Sequence, residues 1–129
     1  MVRSSYLRSV ANFLAGLRRY FPSAKDVVIV SINYRLNLFG SLLLDCLPGG
    51  EDYKEAGYLA ILDQIRALEW VHENISAFGG DPNCVTLFGE SAGSSSQALL
   101  SILPEANKYF QRAILESGPI QLYKTRERG

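Results

Sequence analysis

The sequence is poor in the side chains that most often advertise chemistry: among its 129 residues there is one histidine, one tryptophan, one methionine and two cysteines. A metal centre built on imidazole and thiolate needs three or four such ligands brought together, and His72, Cys46 and Cys84 are scattered single residues, so no metal is expected. The two cysteines have 37 residues between positions 46 and 84 and fit neither a disulfide framework nor a C-x-x-C pair, so free, partly buried thiols are expected and the compartment stays open. Net charge of one sign is missing too. Thirteen Lys and Arg offset thirteen Asp and Glu, which leaves no global field to draw nucleic acid or an anionic surface. No apolar run approaches the ~20 residues of a membrane span, and the first thirty residues hold no apolar core followed by a small-residue cleavage site. No nucleic-acid partner and no membrane span are expected.

What remains is a globular composition, 47% hydrophobic and 20% charged, in a chain long enough for one domain with a core. Leu7, Val10, Leu14, Leu17 and Phe21 recur at steps of three and four in a basic stretch without acidic residues. That pattern predicts a half-buried helix over Met1 to Phe21, and it also describes an organelle presequence. Asp26 to Ile32 (DVVIVSI) is a β-branched run of the kind found in central parallel strands. Residues Asn37 to Glu55, with Pro48-Gly49-Gly50 in the middle, read as a surface excursion.

From Tyr58 the residues Ile61, Leu62, Ile65, Leu68, Val71, Ile75 and Phe78 hold helical spacing for about five turns, until Gly79-Gly80 and Pro82 end the pattern. Cys84 to Phe88 predicts a buried strand, Gly89 to Gly93 a tight turn, Ser94 to Leu103 a helix stopped by Pro104, and Arg112 to Glu116 a further strand before Gly118-Pro119. Strands alternating with helices and no hairpin signal give an α/β class with a parallel sheet.

One motif carries chemistry. Gly89-Glu90-Ser91-Ala92-Gly93 is a G-x-S-x-G that chance alone would place in a chain this long about 4% of the time. Its context is what makes it informative, because it follows a predicted buried strand and opens a predicted helix, the setting of a nucleophile elbow. A serine at such a turn stands in a strained backbone conformation with its hydroxyl over a helix amino terminus, where unpaired N–H groups favour negative charge. Ser91 is then the expected nucleophile, the backbone N–H of Ala92 an expected oxyanion donor, and Gly89 and Gly93 the residues that let strand and helix pass without colliding Cβ atoms.

The flanks NYRL (Asn33 to Leu36), LDQIRALEWVHENISAFGGDP (Leu62 to Pro82), VTLFGESAG (Val85 to Gly93) and FQRAILESG (Phe110 to Gly118) resemble, in order and spacing, the type-B carboxylesterases, the group that includes cholinesterases and bacterial para-nitrobenzyl esterases. The resemblance spans about Asp26 to Pro119. It implies a partial α/β-hydrolase fold, hydrolysis of a small-molecule carboxylic ester through an acyl-enzyme on Ser91, and no cofactor. It also implies that Glu90 is a neighbour of the nucleophile rather than the triad acid, and that Arg35 and Asp81 form a structural ion pair.

The departures from that family are as informative. Hydrolases of this fold draw their histidine from far beyond the nucleophile, after an intervening acid, whereas the 38 residues after Ser91 contain no histidine. His72 lies on the helix before the nucleophile strand and reads as a partly exposed helix residue. The glycine loop that family members carry ahead of a DVVIV-like strand is absent, and Asn37 stands where they usually have glycine. Residues 1–129 are therefore expected to form a single partial α/β-hydrolase domain without that oxyanion loop and without the acid and histidine part. Such a chain would be an interior slice of a longer enzyme, with activity near background and with exposed sheet surface through which it could self-associate. The second reading is a non-catalytic cholinesterase-like interaction protein or truncated pseudoenzyme.

Overall fold

The computed structural model describes residues 27–118. The helix expected over Met1 to Phe21, Asp26 and the Pro119 that was to follow the last strand lie outside the described residues. Within them the order is α1 (Leu38–Ser41), two single 3-10 turns (Leu44–Cys46 and Ala56–Tyr58), α2 (Leu59–Asn74) running on into a 3-10 turn (Ile75–Phe78), β1 (Thr86–Glu90), α3 (Ala92–Ile102), α4 (Pro104–Asn107) and β2 (Arg112–Glu116).

Helix α2 forms where the apolar periodicity predicts it, and its last turn tightens before Gly79, which takes the left-handed conformation with φ 81°. The N–H of Gly79 then reaches Ser76 O at 3.1 Å and that of Gly80 reaches Ile75 O at 3.0 Å, so carbonyls that the helix end would orphan are satisfied. Leu68, Val71 and Ile75 bury the predicted stripe, whereas Phe78 is 61% exposed and lies tilted against Trp70 with ring centroids 5.8 Å apart.

Helix α3 tolerates three serines and Ser101 because Ser96 and Ser101 turn their hydroxyls back onto the carbonyls of Ala92 and Gln97, at 3.0 and 2.8 Å. It starts at Ala92, two residues earlier than the sequence suggests, since the turn needs only Ser91 itself. Pro104 does end it by forcing Leu103 into an extended conformation, and the same proline then opens α4, where its missing N–H costs nothing.

Strands β1 and β2 pair in parallel from Thr86↔Arg112 to Glu90↔Glu116, and α3 is the crossover between them and packs on both. Gln111 extends the ladder by one step, since its N–H donates to Val85 O and its side chain accepts from Val85 N–H. The buried cluster is Leu68 from α2, Leu100 from α3 and Ala106 from α4, with Ile61, Ile65, Leu87, Leu103, Tyr109 and Phe110 packed around it. Burial of a leucine of this kind stabilises by about 1.5–3 kcal/mol.

Two expectations about strands are corrected. The Val27 to Ile32 run has no ladder partner among the described residues and stays exposed, because a parallel strand exists through its neighbours' hydrogen bonds and β1 is bonded only to β2 here. Strands β1 and β2 are not buried on both faces either. Leu87 joins the core on the α3 side, while on the opposite face Phe88 and Ile114 stand in register and remain 36% and 52% exposed. The Asn37 to Glu55 excursion is tighter than a loop of its composition suggests: it carries α1 and the 3-10 turn Leu44–Cys46, Gly40 and Gly50 are buried, and the second 3-10 turn begins directly after it.

Candidate active site

Ser91 sits alone between the last residue of β1 and the first of α3, with φ 55° and ψ −114°. A serine in that region is strained, since Cβ crowds the backbone where φ is positive. The conformation is held from both sides. Its N–H donates to Glu116 O of β2 at 2.9 Å, and its carbonyl accepts from Ser95 N–H at 3.0 Å, which starts the helix. The side chain makes no cap to α3 and is half-buried, so its hydroxyl is left for chemistry. Ala92 is the first helical residue, and its N–H is among those that a helix leaves without an intrahelical acceptor.

Gly89 is required by contact rather than by its own torsion. A Cβ there would fall 2.9 Å from the carbonyl carbon of Gly93, 3.2 Å from its Cα and 2.6 Å from Nε2 of Gln97. Gly93 does not meet the same expectation, because a Cβ placed on it would meet nothing within 4 Å; it is the Cβ of residue 89, not of residue 93, that the close approach of strand and helix excludes. Beside the elbow a second non-glycine residue of positive φ, Ser117 at 50°, occupies the matching place after β2. Gly118 follows it against α3, where a Cβ would fall 2.9 Å from that of the buried Ser94.

Glu90 and Glu116 form the last register pair of the two strands, on the face away from α3, and both are exposed. Arg35 pairs with Asp63 and not with Asp81. Its backbone N–H and Nε donate to Asp63 Oδ2 at 2.9 and 2.8 Å, and Nη2 reaches Oδ1 at 2.5 Å. These charge-assisted bonds hold the Asp63 carboxyl well below its ordinary 3.8, at about 2. Asp81 is occupied otherwise: its Oδ1 accepts from Asn83 N–H at 2.8 Å and its carbonyl from Cys84 N–H at 3.0 Å, which closes the turn into β1. Nothing in the spacing of Arg35 and Asp63, 28 residues apart, could have nominated that pair.

His72 is an exposed residue of α2 whose ring lies 5.5 Å from that of Tyr109. Tyr109 leads into the amino-terminal end of β2, and Ser91 stands at the carboxyl-terminal end of β1, about 16 Å away along a five-residue strand. His72 is therefore not brought to the nucleophile. Cys46 and Cys84 are free as expected but exposed rather than partly buried, and Arg112 Nη1 donates to Cys84 Sγ at 3.5 Å. Gln97 and Ser94, which back the elbow from α3, went unnoticed in the sequence because a polar residue on a helix reads as a solvated face.

A parallel strand, a one-residue turn on a strained serine and a helix opening directly from it together define an α/β-hydrolase nucleophile segment. The carboxylesterase family model matches residues 14–127, and the chain belongs to that family. It is 54% identical over 93 residues to the para-nitrobenzyl esterase of Bacillus subtilis, covering 72% of this chain and 18% of that protein. Against esterase cest-33 of Caenorhabditis elegans it is 52% identical over 94 residues, 73% of this chain and 16% of the relative. The crystal structure of a Geobacillus stearothermophilus carboxylesterase superimposes with a TM-score of 0.72 at 56% identity, over 79% of this chain and 21% of that one. The chain spans about a fifth of the length of these relatives. No described helix is long and apolar enough to cross a membrane.

Proposed function

We propose that this chain is the nucleophile-bearing part of a carboxylic ester hydrolase. Ser91 Oγ attacks the ester carbonyl carbon as its proton passes to a general base, and the oxyanion of the tetrahedral adduct takes a hydrogen bond from Ala92 N–H. Collapse expels the alcohol, protonated by the same base, and leaves the acyl group on Ser91. Water then repeats the sequence and releases the carboxylate. The observation that carries this reading is the placement of Ser91 at φ 55° as the single residue between β1 and α3, with its hydroxyl making no cap to the helix that opens behind it. It favours an enzyme over a non-catalytic relative.

The base must come from outside these 129 residues, because the single histidine, His72, packs at the other end of the strands. In this reading residues 1–129 form part of one α/β-hydrolase domain, and the triad acid, the histidine and the second oxyanion donor are supplied by other segments. The substrate is a small-molecule carboxylic ester, and the uncovered sheet surface lets the isolated chain self-associate.

The test uses an antibody against the exposed turns between Leu42 and Glu55 to isolate the native species from its source. That species should hydrolyse para-nitrophenyl esters and take up a fluorophosphonate at Ser91, read by peptide mass spectrometry, while the 129-residue chain alone turns over at background. Labelling at a residue other than Ser91, or a native species without esterase activity, would overturn the reading.

A further inference from the structure

Two buried amide atoms have no hydrogen-bond partner among the described residues: Nε2 of Gln64 on α2 and Oε1 of Gln97 on α3. The residues are only 5% and 7% exposed, so bulk water does not reach them. A desolvated amide left unpaired is among the costlier defects a fold can carry, and a donor and an acceptor left over together ask for one explanation.

Their placement gives it. Gln64 stands one turn before Leu68 and Gln97 about one turn before Leu100, and Leu68 and Leu100 belong to the same buried cluster. Near the end of α2, His72 lies against Tyr109, which leads into the amino-terminal end of β2, and α3 runs back from the far end of β1 toward that same end, so the two helices share one direction. Gln64 and Gln97 are thereby at one level beside the shared leucines, yet they are not directly bonded.

We propose that an ordered water molecule bridges the two side chains in the interface of α2 with α3, accepting from Gln64 Nε2 and donating to Gln97 Oε1. A polar interior with a donor and an acceptor at one level is where buried waters reside. The bridge lies behind the nucleophile turn, because the other amide atom of Gln97, Nε2, is the one that a Cβ on Gly89 would strike at 2.6 Å. The water thus fixes the side chain that backs the strand two residues before Ser91. This inference does not depend on the esterase reading, and neither does its test.

In the 15N-labelled full chain, the side-chain amide protons of Gln64 and Gln97 should show NOE and ROE contacts to a long-lived water. A direct Gln64–Gln97 contact, or none to water, overturns the proposal. A double-mutant cycle tests it independently. With the bridge present, Gln64→Leu and Gln97→Leu each strand a partner and lower the unfolding midpoint by about 5 °C, while the double variant loses less than the sum. Additive changes, or a midpoint that rises in either single variant, overturn it.

Discussion

Ser91 and Asn37 share an unusual torsion pair, φ 55°, ψ −114° in one and φ 54°, ψ −138° in the other, a region that glycine enters freely and other residues enter at a cost of about 1–3 kcal/mol. At Ser91 the strain serves a hydroxyl that makes no cap to the helix behind it. Ser91→Gly should therefore raise stability by about 1 kcal/mol in chemical denaturation and abolish fluorophosphonate uptake by the native species. At Asn37 no comparable return is visible, and this is the position where the resembled family usually has glycine. Asn37→Gly should give a similar stability gain, and a loss of stability on that exchange would mean that the asparagine side chain supports the turn. The sequence made Ser91 legible because an elbow is a local device: five residues contain both the motif and the reason for it. The Arg35 pairing was not legible, because its partner is chosen by how a helix docks 28 residues later.

Asp63 allows the sign of that pairing to be checked. Its carboxyl is held at about 2 by Arg35 and would titrate near 3.8 in the unfolded chain, so the stabilisation is fully present above about pH 4 and is lost as pH falls toward 2. The unfolding midpoint should drop through that window, less steeply in high salt since the pair is partly exposed, and Asp63→Asn should remove this part of the slope. An unchanged acid profile in the variant would show that the pair contributes nothing to folding.

At the scale of elements, α2 and β2 fall where periodicity and composition put them, because each carries its own signal: a stripe closed by Gly79 in one case and a β-branched and leucine run before a serine-glycine turn in the other. The Val27 to Ile32 run carried an equally strong signal and forms no ladder, which marks the limit of reading strands locally. Propensity makes a segment ready to extend, but only a neighbour's N–H and C=O groups make it a strand. The core is where the elements depend on one another. Leu100 is 3% exposed, where α2, α3 and α4 converge, so Leu100→Ala should cost about 3 kcal/mol in denaturant midpoint terms. Ile102, two residues on and 74% exposed, should tolerate the same change within about 0.5 kcal/mol.

Among the described residues, many large apolar side chains face outward. Val27, Val28, Ile29, Val30 and Ile32 are 38–62% exposed, and Phe88 and Ile114 stand side by side on the sheet face turned away from α3. Among the described residues β1 and β2 are each bonded to one strand, so each presents an outer edge as well. Apolar faces and open edges together favour association, so the purified 129-residue chain should sediment as a concentration-dependent mixture rather than as a 14.3 kDa monomer. Ile114→Lys puts a charge in the centre of that face without touching the buried cluster, and should weaken association tenfold or more while leaving the unfolding midpoint nearly unchanged. A chain that is monomeric at every concentration tested would show that this face does not mediate association. If Ile114→Lys lowers the midpoint as much as Leu100→Ala does, the face is interior to the folded chain rather than open to a second copy.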